Sequence, residues 1–489
     1  MELPRNPVLP GTHPDPSIVQ VGDDYYLVTS TFEYFPGIPI FHSTDLVTWR
    51  QLGHVIDRID QLDLSSVASS GGLYAPTIRF ADGVFYVACT LVGGTGRAGN
   101  FIVTARDPAG PWSEPVWIDG AAGIDPSLFF DDDGRLWYTG TRPADAPEWH
   151  DQTSVWLREL DRETLQFVGE EHILWHGAVL GAVWAEGPHI YRIDDWYYLL
   201  ASEGGTEFDH ALSVARSRHV TGPYVGNSAN PVLTHRTLGR SHPITNVGHA
   251  DLVRAPDGGW VAFLLASRPY GGYHANLGRE TFVVAVEWEG DWPVFAPGVG
   301  QVLAGESGPR ERGMPRPLDW TQARTAASVT AAVDTEGARV TLSARDTTAR
   351  ELGTPAFLGV RQRDRDAVFG ARLAPGDCTA GLLVRQSEAA MVQFTRDSEG
   401  LVTLTDAMGA VVATLPTTGP IDLELVATGQ EYAFWVGVDG ERTRVGVVDG
   451  RALSSQSAGG FVGVWLGLYA VGTAGTAVFD DVHYEGEAR

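Results

Sequence analysis

No lysine occurs anywhere in the 489-residue chain; all 35 basic side chains are arginine. That absence reads as codon bias in a GC-rich genome and carries no mechanism. Set against 61 Asp and Glu, it leaves a formal net charge of −26. A surface this acidic repels phosphate backbones, which excludes a nucleic-acid partner and disfavours polyanionic substrates, though not neutral ones. Cysteine is nearly absent: Cys89 and Cys378 stand far apart and offer neither a disulfide framework nor metal-ligand spacing. No apolar run approaches the roughly 20 residues of a membrane-spanning helix, so no membrane partner is expected. The opening MELPRNPVLPGTHP lacks the basic start and apolar core of a signal peptide, and a cytoplasmic protein is expected. There is no G-x-S-x-G, which removes the usual serine-hydrolase arrangement, and no stretch with the period of a long amphipathic helix.

What is plentiful is glycine (58), proline (29) and aromatic side chains (15 Trp, 15 Tyr, 19 Phe), a composition that suits many short strands joined by turns. One phrase recurs five times: a polar start, an apolar strand, an Asp/Gly turn, then an aromatic-rich strand. Its copies are DPSIVQVGDDYYLVTS, APTIRFADGVFYVACT, DPSLFFDDDGRLWYTGT, GPHIYRIDDWYYLLAS and ADLVRAPDGGWVAFLLAS, beginning at Asp15, Ala75, Asp125, Gly187 and Ala250. Each reads as a hairpin. The spacing, roughly fifty to sixty residues, leaves room for two further strands such as SVWLREL and ALSVARS. Repeats of about four strands predict propeller blades. The expected fold is therefore all-β: a five-bladed β-propeller over 1–303, a Gly/Pro/Arg-rich linker over 304–324, and an antiparallel β-sandwich over 325–489. The sandwich is read from short strands with regular turn signals, among them AFLGVRQ, AGLLVRQ, IDLELVATG and FVGVWLGLYAVG.

In a propeller the first strands of the blades line one channel, so equivalent strand starts converge. Those starts carry Asp15, Tyr74-Ala75, Asp125, Glu186 and His249. Alone, Asp15 in THPDPSIV would be a turn aspartate. Proline restricts the residue before it as well as itself, so Asp15 is expected on backbone with little freedom. The same Asp-Pro-Ser device returns at Asp125, and with Glu186 three acids ring one mouth. Like charges at close range raise at least one pKa, which keeps a carboxylic acid protonated near neutral pH. Two carboxylates facing across a pocket suit glycosidic-bond hydrolysis. The residues also admit a hard-oxygen metal site with His249, or a lectin-like binding propeller with no chemistry. Most of the aromatics are expected in the blade core.

The motifs NPVLPGTHPDPSIV, TSTFEYFPGIPIFHSTDLVTW, GIDPSLFFDDDG, WAEGPHIY, EGGT, GHADLV and LGRETF, in this order along the chain, resemble glycoside hydrolase family 43, in particular its two-domain β-xylosidases and α-L-arabinofuranosidases. The segment after 325 looks like that group's concanavalin-like C-terminal domain. The resemblance implies an exo-acting, inverting mechanism with Asp15 as general base, Glu186 as general acid, and Asp125 holding and tuning the acid. It implies substrate-binding roles for Arg279, Phe32, Tyr74 and His249. Without it, Arg279 reads as a salt-bridge partner of Glu280 and Phe32 as loop packing. No cofactor is required for this chemistry; a structural Ca²⁺ near His249 is implied for some relatives, beside a neutral, hydrogen-bonded histidine. Tyr74 departs from the Trp that many β-xylosidases carry, and GVRQRDRDAVF departs from a more aromatic sandwich stretch, which puts closure of the pocket by a sandwich loop in doubt. The expected substrate is a short xylan-derived oligosaccharide losing a terminal pentose, β-D-xylose ahead of α-L-arabinofuranose, with endo-arabinanase next. The oligomeric state is left open, a homo-oligomer included.

Overall fold

Short β-branched and aromatic runs between Asp/Gly turns cannot sustain helices, and they build sheets throughout. The computed structural model describes residues 5–305, 308–336 and 338–487. Among them the one α-helix is Ser455–Ala458, beside three short 3-10 turns. No helix is long and apolar enough to cross a membrane.

All five expected hairpins form. Ser17–Val21 pairs with Asp24–Val28, Thr77–Ala81 with Val84–Val92, Ile124–Phe130 with Leu136–Pro143, Glu186–Ile193 with Trp196–Glu203, and Thr245–Arg254 with Trp260–Ser267, all antiparallel. Each hairpin is extended by further strands, including Thr153–Leu160 and Ala211–Ser217, so five separate sheets follow one another along the chain. The first strands touch in cyclic order, the fifth returning to the first. Apolar clusters fill the space between neighbouring sheets: Ile40 with Phe101, Ile102 with Tyr138, Trp137 with Leu199, Leu200 with Phe282, and Phe263 with Leu27. Trp137 and Tyr138 serve different clusters because successive strand residues face opposite ways. The chain start closes the set. Val8 and Leu9 N–H groups donate to Thr281 O (2.8 and 3.3 Å), and Asn6 exchanges two hydrogen bonds with the Val283 backbone.

One polar network joins the five first strands. Asp251 accepts from Ser17 Oγ (2.7 Å), Tyr191 OH (2.6 Å) and Arg79 Nη1 (2.8 Å), while His189 Nδ1 lies 2.9 Å from Ser127 Oγ and 3.0 Å from Arg79 Nη2. Burial raises Asp251, but Arg79 and its other donors outweigh burial and hold the carboxyl well below its usual range.

The C-terminal region is two antiparallel sheets of eight and six strands around one apolar core that includes Leu358, Phe369, Phe394, Phe434 and Leu468. The stretch read as a linker carries structure of its own. Arg310–Gly313 pairs with Thr476–Glu487, and Gln322–Ala323 pairs with Tyr34–Phe35 of the N-terminal region. The two regions are further joined by the fully buried Arg385, whose Nη1 donates to Tyr34 OH (2.6 Å) and lies 3.3 Å from Glu33 Oε1, and whose Nη2 donates to Glu388 (2.7 Å). Trp465 stacks flat on Tyr34, ring centroids 3.7 Å apart.

Candidate active site

The strand starts that converge carry acids on three of the five sheets. Asp15 lies two residues before Ser17–Val21, Asp125 lies in Ile124–Phe130, and Glu186 opens Glu186–Ile193. His249 sits in Thr245–Arg254 of the fifth sheet. The pairing register slips between Ile124 and Ser127, between Glu186 and His189, and between Gly248 and Ala250. Such bulges re-aim side chains at the end of a strand.

Asp15, Asp125 and His249 have φ of +55°, +56° and +46°. Few residues other than glycine adopt this left-handed region, Asp and His being among the more tolerant. The expectation that Pro14 and Pro16 set the Asp15 backbone needs correcting, because a following proline favours extended backbone instead. Side-chain contacts hold it: Ser30 Oγ donates to Asp15 Oδ2 (2.5 Å) and Arg279 Nη1 to Asp15 Oδ1 (3.0 Å). Gly187 is a glycine the site cannot replace cheaply. Its φ is +57°, a Cβ there would meet the His249 ring at 3.0 Å, and its N–H donates to Asp125 Oδ2 (3.0 Å). Asp125 thereby grips the peptide that follows Glu186.

The surroundings shift the three acids in different directions. For Asp15, burial raises the pKa, but Arg279, then His249 (Nδ1 3.7 Å from Oδ1) and the Ser30 hydroxyl outweigh it, and the carboxyl ends below its usual range. Glu186 goes the other way: burial first, then the charges of Asp125 and Asp15, push it well above the carboxylate range, with Arg279 only partly opposing. Asp125 is also raised, chiefly by burial, against His249 and the Gly187 N–H. Asp15 and Asp125 are buried, while Glu186 keeps part of its surface open. One mouth therefore holds two carboxyl groups whose surroundings push their pKa values apart, the separation on which acid–base cleavage relies.

Arg279 does not pair with its neighbour Glu280, which accepts instead from Nε and Nη2 of Arg268 (2.7 Å each). Besides Asp15, Arg279 donates to Thr206 Oγ1 (2.7 Å). Phe32, buried and also at positive φ, packs edge-on against Tyr74 at 5.5 Å. The Tyr74 hydroxyl donates to Ser70 O (3.0 Å). His249 is placed by its own N–H, which donates to Ser202 Oγ (2.6 Å). The oxygens of Asp15 already serve Arg279 and Ser30, and no group of three or more candidate ligands occurs among the described residues.

Sequence reasoning missed four residues here. Ser30 and Thr206 lie inside the quoted motifs TSTFEYFPG and EGGT, so a signal was present. His210, next to Gly248, is held neutral by burial, its pKa lowered to about 3. Phe461 carried no signal. It comes from the C-terminal region, stacks near Phe32 (6.1 Å), lies 6.0 Å from Tyr74, and its ring sits 5.7 Å from the Arg279 guanidinium. A loop of the second region thus does reach the mouth.

The family model described as "Glycosyl hydrolases family 43" matches residues 4–293, and that described as "Beta xylosidase C-terminal Concanavalin A-like domain" matches residues 315–485. A protein of Butyrivibrio fibrisolvens named xylosidase/arabinosidase is 39% identical, with 96% of each chain covered. A non-reducing-end α-L-arabinofuranosidase of Bacteroides ovatus is 38% identical, covering 96% of this chain and 91% of its own. The crystal structure of a xylan β-1,4-xylosidase from Bacillus halodurans superimposes with a TM-score of 0.89 at 30% identity, over 99% of this chain and 100% of that one.

Proposed function

The chain belongs to glycosyl hydrolase family 43, and we propose that it is an exo-acting, inverting glycosidase that removes a terminal pentose from short xylo- or arabinoxylo-oligosaccharides. One observation carries the reading: acids from three sheets meet at one mouth, with Arg279 bound to Asp15 (3.0 Å) and the Gly187 N–H bound to Asp125 (3.0 Å), and Asp15 is shifted below and Glu186 above the usual carboxylate range. Asp15 takes a proton from water, whose oxygen attacks the anomeric carbon. The glycosidic C–O bond breaks, and the Glu186 proton passes to the departing oxygen. Inversion needs the two groups ~6.5–9.5 Å apart, with room for that water. Asp125 acts on the acid by gripping the Gly187 N–H and by its charge. Arg279 and His249 supply polar contacts to the sugar, and Phe32 and Tyr74 supply an apolar wall. The reaction draws on no cofactor.

The five sheets, with their first strands in a ring, are read as five propeller blades. The boundaries are read as 1–303, 304–324 and 325–489; the matched span 4–293 falls within the first, while the span 315–485 begins inside the stretch read as a linker, of which residues 306 and 307 lie outside the described residues. Phe461 at one side of the mouth supports a pocket that takes chain ends rather than an open cleft, and so favours exo-action over an endo-arabinanase.

β-D-Xylose is the first choice of sugar. α-L-Arabinofuranose is the second, favoured by the name of the Bacteroides relative. The test compares rates on an aryl β-D-xylopyranoside and an aryl α-L-arabinofuranoside, following the released anomer by NMR. Initial release of α-xylose from the β-xyloside is expected. Initial release of β-xylose overturns inversion, and hydrolysis of neither substrate with oligosaccharide binding retained makes the protein a carbohydrate-binding one.

A further inference from the structure

A cavity of about 740 Å³ opens between the five-sheet and two-sheet regions, and none of Asp15, Asp125 and Glu186 lines it. Its volume is in the range of small-molecule sites, which favour such junctions. In a chain of net charge −26, its wall is the reverse of the whole: Arg5, Arg50, Arg268, Arg316, Arg361 and Arg363 face Asp319, Asp364 and Glu487. Glu280 answers Arg268 from behind, so guanidinium groups outnumber carboxylates by two. Arg361 ends Ala356–Arg361 of the two-sheet region, so both regions contribute, alongside Arg50 from the first sheet and Arg316 from the connecting stretch. Arg50 and Arg316 are exposed, and neither side chain enters an ion pair among the described residues.

The remaining wall is apolar. Trp49, its indole N–H already donated to Leu46 O (3.0 Å) and its ring steeply inclined to that of Phe263, lines the cavity with Phe41 and Leu318. Guanidinium forks bind a planar carboxylate in bidentate fashion, and a sugar ring presents a C–H face to an aromatic plane. We propose that this cavity is a second, non-catalytic site for a carboxylate-bearing sugar, a uronic acid or an oligosaccharide ending in one. The sugar half of the inference rests on the proposed glycosidase function; the anion half stands on the arginines.

The test titrates D-glucuronate and inorganic phosphate, by calorimetry, into the Asp15→Asn enzyme and into the same enzyme also carrying Arg50→Ala and Arg316→Ala. Saturable glucuronate binding is expected, weakened at least about tenfold by the arginine changes and weakened by salt. Unchanged glucuronate affinity in the arginine variant overturns the site, as does no saturable binding. Phosphate binding as tight as glucuronate overturns the sugar half. In the otherwise wild-type enzyme, the two arginine changes are expected to leave aryl-xyloside hydrolysis and Tm unchanged. Hydrolysis without glucuronate binding refutes this site and leaves the proposed function standing; glucuronate binding without hydrolysis does the reverse.

Discussion

Glu186 and Asp15 share one mouth but are shifted in opposite directions by their surroundings, so substitution should separate their roles. Glu186→Gln is expected to cut turnover by about 10²–10⁴-fold on xylo-oligosaccharides, whose leaving group needs a proton. It should cost far less on aryl glycosides with good leaving groups, and equal losses on both would remove the acid role. The same variant carries a stability signature. Because the folded-state pKa of Glu186 is raised, the wild type is uncompromised below the ordinary Glu pKa and loses stability as pH rises through the folded value. The Tm of Glu186→Gln minus that of wild type should therefore grow from pH 5 to pH 8, read by calorimetry. Asp15 has the opposite sign: its contribution is present above the unfolded pKa and lost as pH falls through the depressed folded value. Asp15→Asn should abolish hydrolysis. Asn tolerates φ of +55° as Asp does, so the fold should survive by circular dichroism. Loss of the charge facing Arg279 should cost about 1–3 kcal/mol.

The strands deliver these side chains through bulges, and one loop of the other region completes the wall. Phe461 rests on Phe32 and Tyr74 through its ring but reaches Arg279 through its carbonyl as well, at 3.5 Å. Phe461→Ala removes the ring and keeps the carbonyl. The expected result is a raised KM on xylo-oligosaccharides with kcat changed much less, since an apolar wall binds ground state and transition state alike. A fall in kcat with KM unchanged would instead assign Phe461 a part in the transition state.

The two regions are built to act as one body. Gln322–Ala323 adds a strand to Tyr34–Phe35, Trp465 stacks on Tyr34, and the buried Arg385 joins Glu33, Tyr34 and Glu388. The segment so anchored also carries Phe32, which ties the regional contact to the site. Wild type should therefore unfold in a single calorimetric transition. Arg385→Ala strands Glu33, which is fully buried, at a cost of about 3–5 kcal/mol. It is expected to split the endotherm in two and lower activity together; a single, unshifted transition would show that the contact contributes nothing.

Turn chemistry and strand period are local, and they were sufficient to read all five hairpins, the all-β class and the acids at the strand starts from the sequence alone. The Asp-Pro-Ser repeat identified Asp15 and Asp125 because equivalent positions in repeated units converge. Contacts that depend on docking were not readable. Glu280 is the natural partner for Arg279 by proximity along the chain, yet neighbours on an extended backbone face opposite ways, and only the folded chain brings Asp15 to Arg279. Phe461 belongs to no repeat and meets Arg279 across 182 residues. The left-handed backbone at Asp15 contradicts what its prolines favour. Such features are set by packing and ion pairing between distant segments, which sequence periodicity does not encode.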